Sequence, residues 1–139
     1  MIGLDTNIII HYLVVSQREH LRARKWFESE KGPFATTNTN ISETLRLLTH
    51  PQVFPKPLTL DQAVPLIHSF IEKLNVRILD EAEEWWLGLP ELLQFIPSLR
   101  GNEVFDAQMA ITFRYHGVKE LCTLDANFAK YPFLKIMKI

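Results

Sequence analysis

Five short, nearly all-apolar stretches alternate with amphipathic segments along this chain, and that alternation restricts its fold more than any other feature. Met1 to Leu4, Phe34 to Thr37, Val76 to Leu79, Leu121 to Leu124 and Ile136 to Ile139 have strand character. Between them, Ile8 to Val15, His20 to Ser29, Asn40 to Thr49, Leu60 to Leu74, Glu81 to Phe95 and Val104 to His116 follow helical periodicity, the fifth interrupted at Pro90. Thr59 with Gln62 spells a capping box at the start of the fourth helix. Pro51 to Pro57 and Pro97 to Gly101 read as loops. Alternating strand and helix predicts an α/β domain with a mostly parallel sheet of about five strands. Strands this apolar predict a sheet covered on both faces. The 139 residues suit one domain, 1–139.

Composition narrows the function classes. There is no run of roughly 18 apolar residues, so no membrane-spanning helix is expected. The start, Met1-Ile2-Gly3-Leu4-Asp5, has no basic segment and carries an acid, unlike a secretory leader. A single cysteine, Cys122, speaks against a disulfide framework and a multi-cysteine zinc site, and favours a cytoplasmic setting. Inside a strand it reads as a small hydrophobe. The net charge is −1, without the basic footprint of a typical nucleic-acid binder. Any nucleic-acid chemistry must therefore reside in a local site.

The acidic residues supply such a site. In an open parallel sheet, ligands bind beyond the carboxyl ends of the strands. Asp5 and Asp125 each follow a strand directly. Each is also a natural helix N-cap. Asp80 occupies the same kind of position, but Glu83 three residues later makes it a capping box. Glu43 has a capping alternative too, since Asn40 precedes it by three. With Arg46 it lies roughly opposite an apolar stripe of Ile41, Leu45 and Leu48, free to face a cleft or water. Asp106 is the most informative. It shares an inward stripe with Met109, Ala110 and Phe113. A carboxylate on an apolar face needs a metal, hydrogen bonds or an ion pair, for which Arg100 is the available cation. If these acids converge, repulsion raises at least one pKa unless a cation is present. An oxygen-only ligand set selects Mg²⁺ or Mn²⁺ over Zn²⁺. Such an ion keeps water ligands and suits phosphodiester hydrolysis.

Four local motifs carry a resemblance. Leu4-Asp5-Thr6-Asn7 resembles the opening of PIN-domain nucleases. Ser42-Glu43-Thr44-Leu45, followed by Leu48-Thr49-His50-Pro51, is similar to the family's second acidic motif. Gly101-Asn102-Glu103-Val104-Phe105-Asp106-Ala107 is similar to the third, and Thr123-Leu124-Asp125-Ala126-Asn127-Phe128 with Tyr131-Pro132 to the last. All four occur in order along the whole chain, which therefore resembles the VapC-type toxins of toxin–antitoxin pairs. The resemblance implies a three-layer α/β/α sandwich and a Mg²⁺- or Mn²⁺-dependent endoribonuclease. It implies Asp5, Glu43, Asp106 and Asp125 as catalytic, metal-holding residues, with Thr6, Asn7, Thr123 or Asn127 orienting them. It also implies an RNA substrate, a cognate antitoxin and a homodimer. Many relatives carry an Asp where this chain has Asn127. An amide supplies no charged ligand, which points to one metal ion rather than two.

The remaining features weigh less. Arg46 is a candidate RNA phosphate contact, with an ion pair to Glu43 as the alternative. Trp85 and Trp86 could stack on bases, although core or interface packing is the commoner use. Arg18, Arg22, Arg24 and Lys25 read as a solvated helix face, and His11, His50 and His116 fall into no pattern. Two rival functions stand beside the ribonuclease: a structure-specific DNA nuclease, and a non-catalytic PIN-like module that binds RNA or protein. Asn7, two residues after Asp5, argues against a phosphatase that needs paired Asp residues there.

Overall fold

Side chains alternate between the two faces of a strand, and here both sets are buried. The computed structural model describes residues 1–139, with strands β1 (Ile2–Leu4), β2 (Phe34–Thr37), β3 (Arg77–Leu79), β4 (Glu120–Cys122) and β5 (Lys135–Met137). They form one sheet in the order β3-β2-β1-β4-β5, every neighbouring pair parallel. Helices α1 (Thr6–Leu13), α2 (His20–Ser29), α3 (Asn38–Leu48), α4 (Leu60–Leu74), α5 (Leu89–Leu92) and α6 (Glu103–Tyr115) complete the domain. Phe34 and Cys122 join Ile2 and Leu4 in a core with Ile8 and Tyr12 of α1, Phe27 of α2 and Phe70 of α4. Their neighbours Ala35 and Leu121 point the other way, into a core with Leu92 of α5 and Ala107, Ala110 and Phe113 of α6. The sheet is thus the middle layer of an α/β/α sandwich, as the resemblance implies.

Gly3 lets the two layers close. A Cβ there would lie 2.9 Å from the Phe113 ring, so α6 seats directly on β1 only because position 3 has no side chain. At the start of α4 the capping box forms, with Gln62 Oε1 accepting from the Thr59 N–H at 3.0 Å.

Several boundaries differ from those the sequence predicts. Glu81 to Phe95 is not one helix: a 3₁₀ turn over Trp85–Gly88 precedes the four-residue α5. Pro90 is the cause. In mid-helix its ring would strike the carbonyl four residues back, whereas the first turn tolerates it. The Asp80–Glu83 capping box is therefore not formed, and Asp80 instead accepts from Asn38 Nδ2 at 3.3 Å. Trp85 and Trp86 pack edge-to-face on each other, outside the core, and Trp86 is 50% exposed. α1 starts at Thr6 instead of Ile8, capped by Asp5. α3 starts at Asn38 instead of Asn40, because Thr37 is its cap and accepts from the Asn40 N–H at 3.2 Å. The Asn40–Glu43 capping box is thereby excluded. Strands β4 and β5 each sit one residue earlier than predicted and end sooner, which leaves Thr123, Leu124 and Asp125 beyond the sheet end.

Candidate active site

The chain builds outward from β1 through β2 to β3, then returns to β4 on the other side of β1. Such a reversal opens a crevice at the carboxyl ends of the two central strands. Asp5 leaves β1 at that point, and its N–H donates to the Cys122 carbonyl of β4 at 3.1 Å. Its carboxylate is 7% exposed and fully engaged. One oxygen accepts from the Thr6 N–H at 2.7 Å. The other accepts from Thr123 Oγ1 at 2.6 Å and Asn7 Nδ2 at 2.8 Å. Asn7 Oδ1 in turn takes the Leu124 N–H at 3.1 Å, and Thr123 Oγ1 takes the Asp125 N–H at 3.0 Å. The segments leaving β1 and β4 are thus tied together through side chains, and the tie carries Asp125 to the same crevice.

Glu43 arrives from the third side. Freed from a capping role, its Oε2 accepts from Thr6 Oγ1 at 2.7 Å. Asp106, in the first turn of α6, completes the set. Its stripe partners Met109, Ala110 and Phe113 are fully buried, as their spacing predicts, but Asp106 itself is only half-buried, because it opens onto the crevice. A cavity of about 320 Å³ lies over these groups, with Asp5, Thr6, Asn7, Glu43, Asp106 and Asp125 in its wall and no Lys or Arg.

The electrostatics record the same convergence. Burial raises the Asp5 pKa to about 7 against the opposing Thr123 and Thr6 hydrogen bonds, and the Glu43 and Asp106 charges add to the rise. Asp106 is raised to about 6, first by burial and then by Asp125 and Glu43, with Lys130 opposing. A cluster of carboxylates in this state takes up either protons or a cation. The donor set is all oxygen, which fits Mg²⁺ or Mn²⁺ and not a thiol- or imidazole-selecting ion. No three His, Cys, Asp or Glu side chains form a ready-made metal cage. The carboxylates instead line an open cleft, which suits an ion that retains several water ligands.

Comparisons with known proteins identify the family of this fold. The sequence model of the PIN domain matches residues 2–134. The chain belongs to the PIN-domain family. Ribonuclease VapC24 of Mycobacterium tuberculosis is 28% identical over 142 residues, covering 98% of this PIN domain and 94% of its own chain. Among solved structures, the VapC20 toxin of the same organism, described as cleaving the sarcin–ricin loop, superposes with a TM-score of 0.69 at 18% identity, covering 93% of each chain. VapBC2 of Rickettsia felis, bound to a DNA fragment from its promoter, superposes with a TM-score of 0.68 at 17% identity over 99% of this chain and 98% of its own. At such identities these two establish the fold alone.

Other residues of the PIN domain fall outside the acidic group. Arg46 is exposed on α3, pairs with no carboxylate, Glu43 included, and does not line the cavity. Asn127 is exposed, and it is its backbone N–H that donates to Asp125 Oδ1 at 2.9 Å. Arg100 makes no ion pair with Asp106; the cation nearby is Lys130, which pairs with Glu103 at 2.6 Å. Cys122 is buried and its thiol is pushed up to about 12 by burial, as befits an inert core residue.

Two residues of the PIN domain escape a reading of its sequence. Asn40 is buried on α3, with Nδ2 donating to Thr6 Oγ1 and to Met109 Sδ, each at 3.0 Å. It holds the hydroxyl that holds Glu43. Its signal is the stripe Asn40, Thr44, Leu48, polar at two of three buried positions. His11 also lines the cavity, one helical turn beyond Asn7 on the same face of α1.

Proposed function

We infer that this PIN domain is a Mg²⁺- or Mn²⁺-dependent endoribonuclease and the toxin of a toxin–antitoxin pair. The observation that carries this reading is the meeting of Asp5, Glu43, Asp106 and Asp125 in one cleft without a Lys or Arg. RNA is a polyanion, and the acidic end of this cleft repels it unless a cation intervenes. A bound divalent ion supplies charge neutralisation, Lewis-acid polarisation of the phosphate and an activated water. The protein's own part is positioning. Asp5 is held by its three donors, the pair Thr6 and Asn40 sets the direction of Glu43, and Thr123 couples Asp5 to the backbone of Asp125. Asp106 faces them from α6, so the acids surround the cleft rather than lie along one wall. The raised pKa values of Asp5 and Asp106 mean that both hold protons more tightly than free carboxyls do, and a bound cation would have to displace them.

The kinship supports the biological half. VapC24 is named a ribonuclease, VapC20 is described as a toxin that cleaves the sarcin–ricin loop, and VapBC2 was solved bound to a DNA fragment from its promoter. An antitoxin partner and a homodimer belong to the same reading.

Purified protein is expected to cleave single-stranded RNA with Mg²⁺ or Mn²⁺ and to stop in chelator, leaving 5′-phosphate and 3′-hydroxyl ends. Gel analysis of end-labelled RNA and DNA oligonucleotides checks this. Full activity in chelator, or cyclic-phosphate products, would overturn the metal-hydrolytic mechanism. Cleavage of DNA alone would favour the DNA nuclease, and binding without cleavage the non-catalytic module. In bacteria, expression of the chain alone is expected to slow growth, with relief by its antitoxin and by Asp5→Asn. Equal growth inhibition by Asp5→Asn would separate toxicity from this cleft.

A further inference from the structure

The acidic end accounts for only part of the cavity. The rest is lined by Ile10 and His11 of α1, by Gln17 beyond it, by Leu47 of α3, and by Val53 and Phe54 of the loop that follows. This end has the composition of a ligand site: apolar walls with a few polar groups. It starts one turn of α1 from Asn7. From Asp5 to His11 is about 9 Å along the helix axis at the usual helical rise.

His11 is set there in one orientation. Its Nδ1 accepts from the Glu19 N–H at 3.3 Å, and its carbonyl engages His20 Nδ1 at 2.9 Å. With Nδ1 accepting, a neutral ring carries its proton on Nε2. Burial lowers the His11 pKa, against the Glu19 charge, and so favours the neutral ring. Nε2 has no protein partner.

We propose that the His11–Gln17 end of the cleft is a nucleobase subsite, which holds the base next to the scissile phosphate between Phe54, Leu47 and Ile10 and reads its edge through His11 Nε2–H and the Gln17 amide. Single-stranded RNA is recognised in this manner, with splayed bases packed on aromatic or apolar side chains and hydrogen-bonded along their edges. The subsite rests on the ribonuclease reading above. It adds that the enzyme prefers particular nucleotides at one position flanking the cut, and that His11 is a specificity-determining residue.

The two ring nitrogens permit a clean test. His11→Asn keeps an acceptor near Nδ1 for the Glu19 N–H and removes the Nε2 donor. His11→Gln places an amide donor near Nε2 and gives up the Nδ1 acceptor. The experiment is cleavage of a random-sequence single-stranded RNA pool with Mg²⁺, with sequencing of the product ends, alongside melting temperatures. The expected result for His11→Asn is a fall of roughly fivefold to tenfold in base preference at one flanking position, the effect of one lost hydrogen bond. Preference elsewhere and melting temperature should be unchanged. His11→Gln should retain the preference. Unchanged preference in His11→Asn overturns the subsite, as does loss in His11→Gln with retention in His11→Asn, which would make His11 only a loop anchor. A wild type that cleaves no RNA defeats the ribonuclease reading itself; one that cleaves without flanking preference defeats only the subsite.

Discussion

Asp106→Asn is expected to cost this protein more than the ~10–100-fold in activity that loss of an outer metal-site partner costs, while leaving its melting temperature in chelator unchanged or higher. The amide keeps the shape of the side chain and removes one charge. In metal-free protein that charge sits against Asp125 and Glu43 and is partly desolvated, so its loss relieves repulsion. Mg²⁺ should raise the wild-type melting temperature, since a ligand that binds the native state stabilises it by RT ln(1 + [L]/Kd). The variant should gain less. Were Asp106 instead one half of a buried ion pair, its neutralisation would cost about 3–5 kcal/mol and Mg²⁺ would affect neither protein. No such pair exists, because Lys130 is engaged with Glu103 and Arg100 is exposed. Thermal unfolding of both proteins in chelator and across a Mg²⁺ series, with RNA cleavage rates, decides the matter. A large loss of stability in chelator with no metal-dependent difference would remove Asp106 from the site.

Much of this architecture is legible before any coordinates. The strand–helix alternation yields the parallel sheet and its two covered faces, since Phe34 and Ala35, or Leu121 and Cys122, are apolar on both sides. Asp106 is legible as anomalous because a carboxylate on the stripe of Met109, Ala110 and Phe113 has few alternatives. What stays hidden depends on competition between local signals. Pro90 divides a helix whose periodicity continues through it. Asn40 looks like a cap, but Thr37, two residues before the expected start, captures the Asn40 N–H and turns Asn40 into a buried support for Thr6. Asp5 shows that a helix cap and a place in the cleft wall need not be alternatives, because one oxygen caps α1 while the other accepts from Thr123 and Asn7. His11 escapes because a lone histidine has no spacing partner. Only the turn that brings Glu19 back onto its ring orients it, and that turn is a tertiary event.

In chelator, the contribution of Asp5 to stability is expected to fall as pH rises from about 4 to about 7, the reverse of ordinary acid lability. The Asp5 pKa rises from 3.8 to about 7 on folding. Below the unfolded value both states are protonated and folding meets no penalty from this group. Between the two values the native protein keeps a proton that the unfolded chain has released, so rising pH favours unfolding. Above about 7 both states are ionised and the loss is complete. A shift of this size corresponds to a loss of order 4 kcal/mol across the window, and Asp106, raised to about 6, adds in the same direction. His11 works oppositely: its lowered pKa removes stability as pH falls through its titration range. The comparison with Asp5→Asn cancels that background, because the variant retains His11 and lacks the titrating carboxyl. Denaturant unfolding of both proteins from pH 4 to pH 8 should therefore show the wild type losing ground steadily with pH while the variant's curve is flatter. Metal changes the sign. Ions bind the ionised carboxylates and must displace their protons, so the stabilisation produced by a fixed Mg²⁺ concentration should grow as pH rises through 6 to 7. Parallel curves for the wild type and Asp5→Asn in chelator would show that Asp5 is an ordinary ionised helix cap, and the convergence of charge on this cleft would lose its energetic basis.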